Sequence, residues 1–253
     1  MKMHFLSGGR LRMRKSVFLP DADRAQTIDL PVSCALLRHA QGNVLFDTGC
    51  HPSTATDPAS RWGTMAKAMT PIGAADENVI SGLAQLGLSP NDVDVVINSH
   101  FHTDHCGCNE FFKSATVICH AKELEAAQSE GAVQRGYIPA DWNHPMPMEV
   151  VEAQRDVFGD GRLVLLPLPG HTPGTLGALV GLERDGNFLL TADAVPLRVS
   201  LNEEIIPRNT WNPDMASQSM QEVKKIQSSG ATVIFGHDVQ QWDDLRKGGE
   251  CYE

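Results

Sequence analysis

Short apolar runs bounded by turn residues predict a protein rich in β-strands. VSCALLRH and VLFDTG, joined by AQGN, predict a hairpin, and TLGALVGLE with NFLLTAD around residues 184–186 predicts another. The other strand-like runs are VDVVINS, ATVICH, RLVLLPLP and ATVIFGHD. Their β-branched residues are typical of buried strands.

Two segments have the apolar spacing of amphipathic helices. The first has apolar residues at Val79, Ile80, Leu83 and Leu86. We predict Asp76 as its N-cap and Gly87 as its end. The second begins with Asn212 as N-cap and Pro213 at the first helical position, and ends at Gly230.

Strands and helices alternate at both ends of the chain, around two strand-rich blocks. This order predicts two sheets packed on each other with helices outside, in one domain over 1–253. Residues 51–75 break the pattern with Pro, Ser, Thr and Gly. We predict a long surface insertion on the substrate side, and two roles stay open for it: a binding loop, or an insertion without function.

Charge and composition narrow the class of protein. The 253 residues are 42% hydrophobic with a net charge of -10, and the pI is near 5.4, so no nucleic acid and no anionic membrane is expected as a partner. The N-terminus has no continuous apolar signal region and no run has membrane-spanning length, so we expect a cytoplasmic protein. The six cysteines show no disulfide spacing and are expected to be reduced.

The stretch SHFHTDH, directly after an apolar run, concentrates metal-ligating side chains. His100 and His102 are two apart, so their rings can converge on one ion, while Asp104 and His105 lie farther along the turn and can reach a second. Imidazole and carboxylate suit Zn²⁺ and related divalent metals. A polar loop with surface histidines is the alternative, but four candidate ligands in six positions favour a metal site.

Further candidate ligands end other predicted strands. His171 follows an apolar strand in LPLPGHTPGT, Asp193 ends FLLTAD, and His237 lies in VIFGHD. Each lies where a buried strand gives way to a loop, which is the usual position of functional groups on a rigid scaffold.

These motifs, in this order and at these intervals, resemble the metallo-β-lactamase superfamily, and FDTG at 46–49 fits as well. The resemblance implies an α/β protein with an αββα four-layer sandwich and two divalent metal ions at one edge. The ligands implied for one metal are His100, His102 and His171. Those implied for the other are Asp104, His105 and His237, with Asp193 as the bridge. Zn²⁺ is the first expectation, and Mn²⁺, Fe²⁺ and Co²⁺ suit the same ligands.

Within the superfamily, several groups match poorly. The common β-lactamases place a cysteine at the position of Asp193 and are exported, and glyoxalase II carries a C-terminal helical region, whereas only 16 residues follow His237 here. RNA-processing members would need a basic surface. SHFHTDHCGCNEFF, ATVICHAKELEAA and PLPGHTPGTLGALV look like segments of the N-acyl homoserine lactone lactonases.

That resemblance implies a metal-dependent hydrolase that opens a small lactone, most simply an N-acyl homoserine lactone, in quorum quenching. Asp104 is the candidate to pass a proton to the leaving alkoxide, with a ligand-only role as the alternative. Those lactonases carry a tyrosine three residues after the bridging aspartate, where this chain has Pro196. Another small lactone, such as a pyridoxolactone-like one, or a thioester or ester substrate therefore stays open.

Substrate contacts are predicted from residues near the ligands and from the apolar residues of the insertion. The candidates are Phe101, Thr103, Tyr137, Trp62 and Met65. Tyr137 is the tyrosine that could enter from a different loop, and Trp211 belongs to a wider apolar set. We expect a small-molecule lactone as the partner, and a monomer or homodimer.

Overall fold

Two β-sheets lie face to face through the computed structural model, which describes residues 1–253. The strands of the first sheet are β1 (Lys2–Arg14), β2 (Thr27–His39), β3 (Gly42–Phe46), β4 (Thr70–Pro71), β5 (Val95–Ile97), β6 (Thr116–His120) and β7 (Met148–Val151). Those of the second are β8 (Arg155–Asp156), β9 (Leu163–Pro167), β10 (Leu176–Leu182), β11 (Gly186–Leu190) and β12 (Thr232–Ile234).

Strand direction brings several strand ends to one edge. The first sheet has the order β4-β1-β2-β3-β5-β6-β7, and β3, β5, β6 and β7 run parallel to one another. The second has the order β12-β11-β10-β9-β8, in which β10 is antiparallel to both β9 and β11, and β11 is parallel to β12. Therefore β9, β11 and β12 end on the same side of their sheet, as do β3 and β5 in theirs.

Helices connect the strands and cover the outer faces of the sheets. The α-helices are α1 (Lys15–Phe18), α2 (Pro58–Trp62), α3 (Val79–Gln85), α4 (Thr103–Cys106), α5 (Ala121–Gln128), α6 (Pro139–Trp142), α7 (Arg198–Glu203), α8 (Pro213–Ser228) and α9 (Val239–Asp244). The 3₁₀-helices are Pro52–Ala55, Gly63–Lys67, Pro90–Asp92, Asn109–Phe111, Val133–Arg135 and Ala192–Ala194. None has the length and apolar character needed to cross a bilayer.

Alternation along the strands separates the inner core from the outer layers. Leu37 of β2 packs in the core shared by the two sheets, whereas its neighbour Leu36 packs with Leu83 of α3 on the outer face. On the other side, Val223 of α8 packs against Leu189 of β11. A period of two in the strands thus gives each sheet two apolar faces, and the αββα four-layer sandwich is confirmed.

Most element predictions are confirmed. Both hairpins form, with Ala35 opposite Phe46 in one. The helix predicted from Asp76 instead begins after Asn78, whose side chain accepts the Ser81 amide, so the N-cap prediction was wrong by two residues. Asparagine satisfies the free amide as well as aspartate does, and the sequence alone does not separate them.

One long strand was not assigned from sequence. β1 covers 13 residues, but its apolar pattern is interrupted by Gly8, Gly9 and four basic residues. β1 pairs with β2 along its length, with a register shift between Ser7 and Arg10. These backbone hydrogen bonds to a distant segment stabilise the strand, and the local apolar pattern did not predict it.

Residues 51–75 fold into short helices and β4, packed on the main body. Trp62 is 3% exposed in a cluster with Leu11 and Ile138. Arg61 donates to the carboxylate of Asp141 over 2.5 Å. The segment is thereby held against α6, and the description of the chain as one domain with a substrate-side insertion stays a prediction.

Candidate metal centre

Four strands deliver the predicted ligands to one edge of the sandwich. His100 and His102 follow β5, and Asp104 and His105 lie on α4 immediately after them. The other three, His171, Asp193 and His237, follow β9, β11 and β12 respectively. Because these strands end on the same side of their sheets, residues far apart in sequence meet.

One group of three histidines has mutually facing nitrogens. The ligand atoms of His100, His102 and His171 all lie within 4.8 Å of one another. Nε2 of His171 is 3.0 Å from Nδ1 of His102. These are the residues predicted for the first metal, and the fold brings them together.

A second group forms on the other side of Asp193. The ligand atoms of Asp104, His105 and His237 also lie within 4.8 Å of one another. Oδ2 of Asp104 is 3.6 Å from Nε2 of His105 and 3.7 Å from Nε2 of His237. This set matches the second predicted group.

Asp193 contacts both groups through different oxygens. Its Oδ2 is 3.3 Å from Nε2 of His171, and its Oδ1 is 2.8 Å from Nε2 of His237. The loops can approach because residue 236 is glycine: a Cβ there would lie 2.7 Å from the carbonyl oxygen of Ala192. A carboxylate placed in this way suits a bridging role.

The donor set fits divalent metal ions. Nε2 of His100 and Nε2 of His105 are buried and have no hydrogen-bond partner. Buried polar atoms are ordinarily paired, so orphaned lone pairs that converge are the signature of a ligand site. Nδ1 of His100 contacts Ser99 Oγ, and Nδ1 of His237 contacts the carbonyl of Pro31, which leaves both Nε2 atoms free to bind a metal.

Charge differs between the two groups. Burial lowers the pKa of His100 well below its usual value, lowers that of His102, and lowers that of His171 to about 3. Burial also opposes the charged form of His105 and His237, but nearby carboxylates outweigh it and raise both pKa values. The three histidines of the first group therefore favour the neutral form, whereas His105 and His237 of the second group favour the protonated form.

Asp47 is a site residue that sequence reasoning did not single out. It is 1% exposed and accepts hydrogen bonds from the amide and hydroxyl of Ser99 and from Nδ1 of His105. Its φ of 60° is rarely adopted by a residue other than glycine. The sequence did contain one signal for it. Asp47 lies in FDTG directly after β3, just as the predicted ligands lie directly after other strands.

The predicted substrate contacts are mostly interior. Trp62, Phe101, Thr103 and Tyr137 are between 0 and 3% exposed, and only Met65 is partly exposed. Phe101 stacks on Trp142, and Thr103 donates its hydroxyl to Asp141. In this conformation the structure does not bring the four buried residues to a surface that a substrate could touch.

Tyr137 packs beside the centre, and the cysteines add no ligand to it. The Tyr137 ring lies 5.3 Å from the His102 ring, and burial and the nearby Glu123 carboxylate raise the pKa of its hydroxyl. The thiols of Cys106 and Cys108 donate to backbone carbonyls, and burial raises both pKa values. Pro196, which replaces the tyrosine expected from the resemblance, is buried and accepts the His237 amide through its carbonyl.

A family model described as the metallo-beta-lactamase superfamily matches residues 27–237. The chain belongs to this superfamily, as its layers and the His/Asp cluster at its sheet edge also indicate. Within it, the chain is 30% identical to the N-acyl homoserine lactonase AttM of Azorhizobium caulinodans, over all of this chain and 99% of that one.

Two further likenesses point the same way. The chain is 33% identical to the N-acyl homoserine lactonase AiiB of Agrobacterium fabrum, over 90% of this chain and 87% of that one. A solved N-acyl homoserine lactone hydrolase, with the product N-hexanoyl-L-homoserine bound at its catalytic metal center, superposes with a TM-score of 0.89. It is 27% identical and covers all of this chain and 98% of its own.

Proposed function

We propose that this chain is a metal-dependent hydrolase that opens the ring of N-acyl homoserine lactones, a quorum-quenching activity. The observation that carries the proposal is full-length similarity, in sequence and fold, to lactonases of that class. The two His/Asp groups described above are a suitable site for this hydrolysis. A hydrolytic metal centre needs converging ligands and one coordination position that stays open for water or substrate.

We further propose two divalent metal ions, Zn²⁺ first. His100, His102 and His171 would hold one, Asp104, His105 and His237 the other, and Asp193 would be shared. When bound, the ions supply Lewis acidity toward the lactone carbonyl and make hydroxide available near neutral pH. All seven ligands come from one chain, so a monomer suffices to build the centre, and a homodimer would contain two.

The chain's own groups hold and move protons around this centre. Asp47 holds the proton of His105 on Nδ1, so that Nε2 faces the site. Asp104 is 5% exposed and lies at the centre without a hydrogen-bonded cation such as Arg or Lys. We assign it the delivery of a proton from its carboxyl oxygen to the alkoxide that leaves when the ring opens.

The absence of a tyrosine after Asp193 bears on substrate choice. Pro196 stands in that position, so the tyrosine hydroxyl expected there is missing, and Tyr137, whose ring lies 5.3 Å from the His102 ring, is 2% exposed. Another small lactone is therefore the second candidate, and a thioester or carboxylic ester the third. All six cysteines are free thiols, which supports our proposal that the protein is located in the reducing cytoplasm.

A substrate panel on zinc-replete protein tests the proposal. Homoserine lactones of graded acyl length, other γ-lactones, a thioester and an aryl ester are compared by kcat/KM, with metal content measured on the same samples. The homoserine lactones should be the best substrates, and chelation should abolish turnover. A thioester preferred over every lactone, or full activity without metal, would overturn the proposal.

A further inference from the structure

A buried carboxylate outside the ligand set organises one side of the centre. Glu123, on α5, is 0% exposed. Its Oε1 accepts the Phe101 amide at 3.0 Å, and its Oε2 accepts the Thr172 hydroxyl at 2.7 Å and the Gly174 amide at 3.1 Å. No lysine, arginine or histidine contacts this carboxylate, and each partner offers it a donor.

The partners of Glu123 adjoin the first ligand group. Phe101 lies between His100 and His102 in sequence, and Thr172 directly follows His171. The Tyr137 ring lies 5.3 Å from the His102 ring. Every ligand of that group is therefore next in sequence to Phe101 or Thr172, which Glu123 holds.

Close packing reinforces these hydrogen bonds. A Cβ at Gly174 would lie 2.4 Å from the backbone nitrogen of Glu123, so the loop after His171 can approach α5 only because residue 174 is glycine. A Cβ at Gly136 would lie 2.9 Å from the His102 ring, so the segment before Tyr137 also packs directly on this ligand.

The second ligand group has a different support. His105 is held by Asp47, and His237 by the carbonyl of Pro31. Glu123 makes no hydrogen bond or ion pair with Asp104, His105 or His237. Asp47 also reaches the first group, because the Ser99 hydroxyl that donates to it contacts Nδ1 of His100, whereas Glu123 serves the first group alone.

We propose that Glu123 is a positioning residue that holds the loops of His100, His102 and His171 in the arrangement needed for one of the two metal ions. It acts through Phe101, Thr172 and Gly174, not by contact with metal or substrate. The proposal rests on the metal centre proposed above. It is independent of which substrate that centre hydrolyses, so the two can fail separately.

Zn²⁺ titration of the full chain after chelator treatment tests this role. The variant is Glu123→Gln, in which an amide N–H would face the Gly174 N–H. The matched control is Glu125→Gln, the same change at an exposed position of the same helix. His171→Ala, which removes a ligand of the first group, identifies which of two binding steps belongs to that group.

Glu123→Gln should weaken the step that His171→Ala removes by about tenfold and leave the other step at its wild-type affinity, because outer supports of metal ligands have effects of this order. Glu125→Gln should bind as wild type does. If Glu123→Gln does not fold, Thr172→Val, which removes one hydroxyl donor at nearly constant shape, should weaken the same step by a smaller factor.

Wild-type affinity at both steps in folded Glu123→Gln, or in Thr172→Val where the first does not fold, would overturn the proposal. An equal loss at both steps would also overturn it, since that indicates a general structural role. Wild-type protein that binds two Zn²⁺ ions but opens no lactone would contradict the proposed function and leave the role of Glu123 intact.

Discussion

Nδ1–H of His105 donates a hydrogen bond of 2.8 Å to Oδ2 of Asp47, and both side chains are almost fully buried. The bond fixes the tautomer of His105, because a proton on Nδ1 leaves Nε2 with a free lone pair. That Nε2 is buried and unpartnered, and it faces Asp104 and Asp193. A metal ligand is thus prepared by a residue 58 positions earlier in the chain.

Asp47→Asn should lower both zinc affinity at the second group and kcat/KM by about 10- to 100-fold, because the support of His105 loses its charge. Asparagine tolerates the φ of 60°, so the fold should persist. Metal content and lactone hydrolysis are measured together. Asp29→Asn, which changes a surface pair with Arg12, is the control and should behave as wild type. Unchanged zinc affinity in Asp47→Asn would contradict the assigned role.

Asp104→Asn separates the proton-transfer role from the ligand role. A positioned proton donor contributes about 10²- to 10⁴-fold to rate, and it matters most when the leaving alkoxide is strongly basic. The variant should therefore lose more kcat with alkyl lactones than with an aryl ester, whose leaving group needs little protonation. Zinc content is measured in parallel. An equal loss for both substrates would show that Asp104 serves only as a ligand.

Lowering the pH should release the metal of the second ligand group (Asp104, His105 and His237) before that of the first (His100, His102 and His171). In the metal-free chain His105 and His237 have raised pKa values, so protons must leave before metal binds, and affinity at their group falls as pH falls below those values. Burial keeps His100 and His171 neutral, so the first group should change little between about pH 5.5 and 7.5. Zinc titrations across this range provide the measurement. Parallel losses at both groups would count against the assignment.

Arg61 and Asp141 form an ion pair with the carboxylate fully buried. Arg61→Leu should cost about 3–5 kcal/mol of unfolding free energy, because it leaves that charge unpaired. Adding Asp141→Asn should recover much of this loss, while Arg162→Leu, in an exposed pair with Glu183, should cost about 1 kcal/mol or less. Denaturant unfolding measures all three. No recovery in the double variant would argue against the charge as the cause.

Trp211 is 51% exposed, and its amide donates to the carbonyl of the ligand His171. We propose that the exposed indole of this residue contacts the acyl chain of the substrate. Trp211→Ala should therefore lower kcat/KM for long-chain homoserine lactones by about tenfold and leave short-chain substrates nearly unchanged. Val150→Ala, at another exposed apolar residue, is the control. The same loss at every chain length would exclude an acyl contact.

The local sequence pattern was sufficient to predict those features of the structure that depend only on neighbouring residues. The Asn212 cap, Pro213 at the first turn and the end of α8 near Gly230 all appear in the structure as predicted. The ligand candidates were also found from sequence, because imidazoles and carboxylates at strand ends are a local feature. Asp76 was the wrong cap because two nearby residues could perform the same function.

Glu123 shows what local pattern does not contain. In KELE it looks like any charged residue of an amphipathic helix, and only the fold turns it inward toward Phe101, Thr172 and Gly174. From the sequence, Thr103 and Phe101 were predicted to face a substrate. In the structure the Thr103 hydroxyl donates to Asp141 and the Phe101 ring stacks on Trp142, both about 40 residues away in the chain.

The sequence by itself determined the layered α/β fold and the identity of the candidate ligands, because strand alternation, capping and ligand chemistry are properties of residues and their near neighbours. The tertiary structure decided which ligands share a group, which proton faces away from the centre, and which side chains are supports. Those depend on hydrogen bonds between residues tens of positions apart, such as His105 with Asp47, that form only when the two sheets pack together.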